Sequence, residues 1–246
     1  MPDNPEKLRL DALLVARGLF ESREKAQRAL MAGGVEVNGR RDAKPGDRVK
    51  SDADVVVLAA EKYVSRGGLK LEAALDAFGI DPAGRVCLDI GASTGGFTDC
   101  LLQRGAAKVH ALDVGHNQMH WKIRSHPLVA AREGINCRNL SFGDIGERVW
   151  LAVADVSFIS LTLILPPAFE LLEPEGRMVV LIKPQFELSR GAVGKGGIVT
   201  DPAAHAAAVE KIRAFVEQSG RRWLGVIDSP ILGATGNHEF LACLQP

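Results

Sequence analysis

Apolar positions in the first sixty residues follow two different spacings. Leucines recur every three to four residues over 9–16, which predicts a helix with one buried face, and the same spacing predicts a second helix over 23–32. Residues 35–37 alternate apolar and polar side chains like a strand, and the Asn-Gly pair at 38–39 is the strongest short signal for a hairpin turn. We therefore predict a small α+β domain over residues 1–60.

From residue 85 onward, short apolar runs alternate with segments of helical spacing. The pattern predicts strands near 86–90, 109–113, 128–132, 151–156, 177–182, 223–228 and 238–244, and helices near 96–104, 118–125, 161–172 and 203–219. A helix from Ser65 precedes the first strand, with Leu69, Ala73 and residues 75–77 as its inner face. This alternation is typical of a doubly wound, mostly parallel sheet. We predict a second, α/β domain over residues 65–246, joined to the first by a connection at 61–64.

Composition and charge narrow the class of protein. The chain has 246 residues, 46% apolar, and a formal net charge of zero, so its overall charge favours neither nucleic acid nor membrane. The polar N-terminus and the absence of a long apolar run predict a cytoplasmic protein without membrane contact. Four scattered cysteines without a C-x-x-C pair predict reduced thiols, and histidines without zinc spacing predict no metal site.

The sequence DIGASTGGFTD, at residues 89–99, lies between a predicted strand and a predicted helix. Its glycines allow the backbone to take positive φ and to approach a ligand closely. Asp113 ends the next apolar run, where a carboxylate can accept hydrogen bonds from ribose hydroxyls. A strand, a glycine loop, a helix and a strand that ends in Asp together predict a site for a nucleoside cofactor.

Two side chains of this loop bear on which cofactor it binds. Ser93 occupies the place where the dinucleotide fingerprint has its middle glycine, and Asp89 would repel a pyrophosphate. The cationic S-adenosylmethionine is therefore favoured over NAD. The pattern D-x-G-x-x-x-G-G resembles motif I of class I S-adenosylmethionine-dependent methyltransferases.

Ionisable side chains follow two of the predicted strands. Asp155 comes after the apolar run 151–154, and Lys183 comes after the run 178–182. Ligands of open parallel sheets bind beyond the carboxyl ends of the strands, and a charge at such a place is costly unless it is paired or functional. On these two residues alone, a structural salt bridge and a catalytic site both remain open.

Two further charged residues favour the catalytic interpretation. Lys70, in SRGGLKLE, precedes the first strand of the sheet, and Glu239, in GNHEF, begins the last. With Asp155 and Lys183 they match the order of the K-D-K-E tetrad of FtsJ-like RNA ribose 2′-O-methyltransferases. Together with DVSFISL, LIKPQFE and GGIVTDP, these motifs make nearly the whole chain resemble the TlyA family, whose members are often labelled hemolysins but resemble ribosomal RNA methyltransferases.

This resemblance implies a fold and a set of roles. The fold is the Rossmann-like class I methyltransferase fold, with a mostly parallel seven-stranded sheet and an antiparallel final strand. Lys183 would deprotonate or orient a ribose 2′-hydroxyl, Lys70 and Asp155 would tune and orient Lys183, and Glu239 would position the lysines and the ribose; the protonation state of Lys183 stays open. The residues expected to bind the cofactor are Asp89, Gly91, Ala92, Ser93, Gly95, Gly96, Phe97, Asp113, Val114, Asn139 and Phe158. Of these, Asn139 rests on the resemblance alone, and for Phe158 core packing is an equal alternative.

The N-terminal segment, with its S-R-x-x-A helix start and V-x-V-N-G turn, resembles the S4-like RNA-binding domain. Its basic side chains would contact phosphates without reading sequence. On charge alone, a solvated helix face beside Glu21 and Glu24 explains them equally well. The residues expected to bind RNA are Arg9, Arg23, Lys25, Arg28, Arg40, Arg41 and Lys44. The glycine-rich, basic segment 189–202 is a candidate mobile loop for the substrate.

The resulting hypothesis is a monomeric S-adenosylmethionine-dependent enzyme that methylates ribosomal RNA at a ribose 2′-hydroxyl. The resemblance implies cytidine as the target and ribosomal subunits as the substrate. Two alternatives remain: a non-catalytic RNA-binding or ribosome-assembly factor that keeps the fold, and a membrane-lytic hemolysin, which the lack of export and membrane signals disfavours.

Overall fold

The computed structural model describes residues 6–58 and 62–246. The chain divides into two compact units, Met1–Glu61 and Lys62–Pro246. The predicted boundary at residue 60 and the first residue of the predicted connection, Glu61, lie outside the described residues. Residues 62–64 belong to the larger unit: Tyr63 is buried in its core, and the backbone N–H of Val64 donates a hydrogen bond to Asp99. Within the described ranges, no helix has the length and apolar content needed to cross a membrane.

The smaller unit contains two helices and two pairs of short strands. Its elements are β1 (Lys7–Arg9), α1 (Leu10–Ala16), α2 (Arg23–Met31), β2 (Val35–Val37), β3 (Arg48–Lys50) and β4 (Val55–Val57). β1 pairs antiparallel with β3, and β2 pairs antiparallel with β4. Both predicted helices are confirmed, and the Ser22 side chain caps α2 by accepting a hydrogen bond from the backbone of Lys25. The apolar faces of the helices and β2 form one small core.

The Asn38-Gly39 turn forms as predicted, but it does not lead into a long hairpin. Both residues have positive φ, 49° and 78°, as the tight hairpin turn requires. The turn closes a single bridge, between Val37 and Arg40, and β2 then pairs with the more distant β4. The local signal therefore fixed the turn, whereas burial of Val35 and Val37 against the helices fixed the strand partner.

The larger unit is built on one seven-stranded sheet. Its strands are β5 (Val86–Ile90), β6 (Lys108–Asp113), β7 (Val129–Glu133), β8 (Val149–Ala154), β9 (Leu172–Ile182), β10 (Arg222–Asp228) and β11 (Phe240–Gln245). Their order is β10-β11-β9-β8-β5-β6-β7, and β11 alone runs in the direction opposite to the other six strands. The predicted mostly parallel sheet with an antiparallel final strand is confirmed.

Helices cover both faces of this sheet, so its central strands are apolar on both sides. They are α3 (Gly67–Phe78), α4 (Gly96–Gln103), α5 (Trp121–Arg124), α6 (Phe142–Ile145), α7 (Leu165–Phe169), α8 (Pro184–Glu187) and α9 (Pro202–Gln218). The helix predicted over 161–172 is shorter, because Pro166 and Pro167 confine it to α7 after a single 3₁₀ turn. All four cysteines are buried and free.

The inner face of α3 differs from the predicted one. Leu71, Ala74 and Leu75 are buried, whereas Leu69 is exposed. The helix is rotated so that Lys70 also points inward, where it finds an acidic partner. A prediction that places every charged residue on the outer face of a helix is wrong where a lysine has a buried acidic partner.

Candidate active site

The sheet topology brings the four charged residues of the predicted tetrad to one edge. Asp155 and Lys183 follow β8 and β9, which are parallel neighbours. β11 is antiparallel, and its first residue, Phe240, pairs with Ile182 at the end of β9. Glu239 therefore enters the sheet at the edge where β8 and β9 leave it, and α3 brings Lys70 to the same place.

The tetrad consists of two ion pairs. Lys183 Nζ lies 2.6 Å from Asp155 Oδ1 and donates a hydrogen bond of 2.9 Å to Ser157 Oγ. Lys70 Nζ lies 2.5 Å from Glu239 Oε2. Both lysines and Glu239 are buried, and Asp155 is partly exposed. Two desolvated pairs side by side are costly as mere stabilisers, which favours a functional role at this edge.

Asp113 and the glycines shape the loop after β5. The Asp113 carboxylate accepts hydrogen bonds from the backbone N–H groups of Ser93 (2.7 Å) and Gly115 (2.6 Å). Gly91 has φ of 82°, and a Cβ there would come within 2.6 Å of the Asp155 carbonyl oxygen. The loop thus lies directly against the segment that carries Asp155, and any side chain at position 91 would push the two apart.

Two adjoining cavities open at this edge, and Gly91, Ser93 and Asp155 line both of them. The larger, of about 520 Å³, is also lined by Asp113, Val114, Gln118, Asn136, Cys137, Arg138 and Phe158. The smaller, of about 230 Å³, is also lined by Ser65, Arg66, Lys70, Ala92, Gly96 and Phe97. Most of the predicted cofactor residues, though not Gly95, therefore line two adjoining cavities that reach Lys70 and Asp155 of the tetrad.

Asp89 lies beneath this space rather than in its wall. It is fully buried in β5, and its Oδ2 accepts a hydrogen bond of 2.6 Å from the Thr98 hydroxyl. Within the described part of the chain, its Oδ1 has no partner. Burial raises the pKa of Asp89 to about 7; the Thr98 hydrogen bond opposes this shift, and the negative charge of Asp155 adds to it. An unpartnered acidic oxygen under the loop suits a cationic ligand above it.

Two predicted cofactor residues have unexpected positions. Asn139 is exposed and does not line the larger cavity, whereas its neighbours Asn136, Cys137 and Arg138 do. Phe158 lines that cavity, is 89% exposed and has φ of 63°. Its ring lies 5.1 Å from that of Phe186. Core packing, the alternative interpretation of Phe158, is therefore wrong.

Sequence reasoning missed a buried acid that holds the site segments together. Glu187, in KPQFE, accepts hydrogen bonds from Ser160 Oγ (2.5 Å) and Leu161 N–H (2.8 Å), and it pairs with Lys211 (3.0 Å). It links the segment after β8 to α8 and α9. The sequence signal that could have identified Glu187 is its position in the same short motif, KPQFE, as Lys183. Gln118 and Ser157, which sequence reasoning also missed, contact Ser93 and Lys183.

Most of the basic residues predicted to bind RNA have acidic partners in the smaller unit. Arg9 and Arg23 both contact Asp11, which is buried in α1, and the hydrogen bond from Arg9 lowers the pKa of Asp11 well below its usual range. The other pairs are Lys25 with Glu21, Arg40 with Asp42 and Arg41 with Glu36. Within the described residues, Arg28 and Lys44 are exposed and have no acid at ion-pair distance.

No cluster of His, Cys, Asp and Glu in the described segments could hold a metal ion. The candidate site instead consists of the glycine loop, Asp113 and the two lysine–carboxylate pairs. These residues fit a cofactor with a ribose and a cationic end. They also fit a substrate whose hydroxyl needs a nearby proton acceptor.

The chain is similar to known proteins over both units. The FtsJ-like methyltransferase model matches residues 63–246, and the S4 domain model matches residues 8–56. The 16S/23S rRNA (cytidine-2′-O)-methyltransferase TlyA of Mycobacterium tuberculosis is 45% identical over 97% of this chain and 90% of its own.

Two solved structures extend the comparison. One from Streptococcus thermophilus that bears the description hemolysin is 44% identical, covers 98% of this chain and 88% of its own, and has a TM-score of 0.75. An S-adenosylmethionine-dependent methyltransferase from Mesorhizobium loti, at 15% identity, covers 71% of this chain and 96% of its own with a TM-score of 0.51. The likeness at low identity concerns the fold alone. The larger unit has the class I methyltransferase fold.

Proposed function

The chain belongs to the FtsJ-like methyltransferase family and carries an S4 domain, and on this premise we propose that it methylates ribose 2′-hydroxyl groups of ribosomal RNA. The methyl donor is S-adenosylmethionine, and the target is a cytidine in assembled ribosomal subunits. The observation that carries the proposal is the pair of lysine–carboxylate contacts at the end of a cavity bounded by the glycine loop. A ribose hydroxyl is a poor nucleophile and needs a nearby proton acceptor, which a lysine in this position can supply.

The bound donor supplies a methyl group that is activated by a sulfonium. Asp113 lines the larger cavity and is in place to accept hydrogen bonds from ribose hydroxyls of the donor, since each of its oxygens receives one backbone N–H and keeps a free lone pair. Gly91 and Gly96 let the loop pack against the Asp155 carbonyl oxygen and the Ser65 hydroxyl, because a Cβ at either position would overlap these atoms. The acidic Asp89 beneath the loop favours the cationic end.

The transfer forms a bond between the 2′-oxygen and the methyl carbon and breaks the bond from that carbon to sulfur. Lys183 Nζ accepts the proton of the 2′-hydroxyl after giving its own proton to solvent, and Asp155, 2.6 Å away, orients the amine. Ser157 holds the Lys183 amine in one direction. Lys70, fixed by Glu239, lines the smaller cavity, where it contacts the ribose or its phosphate.

The test is transfer of a labelled methyl group to unmethylated ribosomal subunits, followed by mapping of 2′-O-methyl sites. Lys183→Ala should lower kcat by about 10²- to 10⁴-fold, because it removes the proton acceptor, and should leave the affinity for the donor unchanged. Lys108→Ala is the matched control, since Lys108 pairs with Glu147 at the opposite edge of the sheet. Transfer to no subunit or RNA would refute the function. Tight subunit binding without donor affinity would instead identify a non-catalytic factor.

A further inference from the structure

The segment between β6 and β7 carries an exposed aromatic ring among cationic side chains. Residues 114–132 contain no acid, although the whole chain has as many acidic as basic residues. Three of the six histidines of the chain lie in this segment, beside Lys122 and Arg124. The Trp121 side chain is 73% exposed, so it contributes little to any core. An exposed indole among cationic side chains is the combination by which proteins bind unpaired bases and the phosphates beside them.

This surface is fixed to the glycine loop. Ile123, two residues along α5, is buried against Ala92, and a Cβ at Gly95 would crowd the Ile123 side chain. The backbone N–H of His120 donates a hydrogen bond of 3.1 Å to the Thr94 carbonyl oxygen. Trp121 therefore has a defined position beside the loop, although it does not line either cavity.

The cationic side chains of this surface are only weakly engaged with acids. Lys122 Nζ lies 3.8 Å from Asp99, and the Arg124 guanidinium lies 3.7 Å from Glu133. Both keep more than half of their side chains exposed, 57% and 52%. Their charge is therefore available to an anionic partner.

We propose that His120, Trp121, Lys122 and Arg124 form a second RNA contact of this chain, separate from the S4 domain. Trp121 stacks on an unpaired base near the target nucleotide, and Lys122 and Arg124 hold the adjacent phosphates. An aromatic platform flanked by cations is what single-stranded or looped RNA requires, because every base has a π-face and the backbone is anionic. The inference rests on the proposed function, since only an RNA substrate must reach this loop.

The experiment measures the affinity of the full chain for unmethylated ribosomal subunits, the methylation rate and the affinity for S-adenosylmethionine. Trp121→Ala should weaken subunit binding about tenfold, and Trp121→Phe should restore most of it, because a base stacks on either ring. The double variant Lys122→Ala/Arg124→Ala should reduce the slope of log affinity against log salt by about two. The affinity for S-adenosylmethionine should stay unchanged in all three.

Leu224→Ala and Arg213→Ala are matched controls, because they remove an exposed apolar and an exposed cationic side chain on β10 and α9. Subunit affinity of Trp121→Ala and of the double variant equal to the wild type would overturn the inference while leaving the methylation activity intact. Weakened binding in these variants, with no methyl transfer by the wild-type chain, would support the surface and refute the proposed function. A drop in the affinity for S-adenosylmethionine that matches the drop in subunit affinity would also overturn it.

Discussion

At the scale of single residues, the site depends on charges that the fold has removed from water. Lys70 and Glu239 neutralise one another, as do Lys183 and Asp155. Asp89 differs, because Thr98 satisfies only one of its oxygens. Its environment favours the protonated acid in the absence of a ligand, so this residue couples the pH of the solution to the stability of the domain.

Asp89→Asn should reveal this coupling. The folded-state pKa of Asp89, about 7, lies above its ordinary value, so the stability that its protonated form contributes is lost as the pH rises from about 4 to about 7. Without donor, the Tm of the asparagine variant should gain on that of the wild type over this window and run parallel to it above. Thermal unfolding at a series of pH values measures the difference. A difference that is constant across the window would contradict the prediction.

At the scale of elements, the turn before β11 holds the tetrad in register. Asn237 is buried, accepts a hydrogen bond from Val199 N–H (2.9 Å) and donates one to the Gly197 carbonyl oxygen (2.9 Å). It ties the end of the glycine-rich segment 189–202 to the turn that leads into Glu239. That segment, predicted as a substrate loop, is therefore anchored at its far end to the active site.

Gly233→Ala tests how closely this turn must fit. A Cβ at position 233 would overlap the Glu239 carboxylate and push it away from Lys70. We expect kcat to fall by about 10- to 100-fold, since a small displacement of a positioning group carries a cost of this size, with little change in donor affinity. Gly143→Ala in α6 is the control, because its Cβ would make an ordinary contact of 3.6 Å. Equal kcat in the two variants, with both folded, would rule out this role for the turn.

At the scale of the whole molecule, RNA binding depends on where the charges lie, because the net charge is zero. In the smaller unit, Arg9 and Arg23 stabilise the buried Asp11, whereas Arg28 and Lys44 are exposed. The basic residues that the sequence alone groups together therefore fall into two sets: those that stabilise a buried acid, and those that are exposed and free to contact RNA phosphates.

This division predicts two different phenotypes. Arg28→Ala and Lys44→Ala should weaken subunit binding, and each should lower the salt slope by about one, without a change in Tm. Arg23→Ala should lower the Tm instead, because Asp11 loses one of its partners in a buried position. Binding titrations at several salt concentrations, alongside thermal unfolding, separate the two effects. Identical behaviour of the three variants would contradict the division.

Local patterns determined much of this protein. The strand–loop–helix at 86–103, the acid that ends β6 and the cap of α2 each depend on neighbours along the chain. So do the alternating apolar runs that make the sheet parallel and buried. The four residues of the tetrad were recognised from the order of their motifs. Their pairing could not be derived from the sequence, because charged residues at four distant positions do not show which of them will be in contact.

Only the tertiary structure decided which residues of the tetrad form ion pairs with one another. β11 inserts between β9 and β10, and this antiparallel placement brings Glu239 beside Lys183 and opposite Lys70. The inner face of α3 consists of Leu71, Ala74 and Leu75, which lie at helical spacing, and Glu239 satisfies the charge of Lys70 on the same face. The spacing of residues along the sequence indicates which of them lie in the same helix or strand. Which distant side chains come into contact depends on burial and charge in the folded molecule. For the same reason, the sequence was enough to predict a methyltransferase site at the carboxyl ends of the strands. Only the fold shows that the charged residues there form two ion pairs and that Trp121 is exposed nearby.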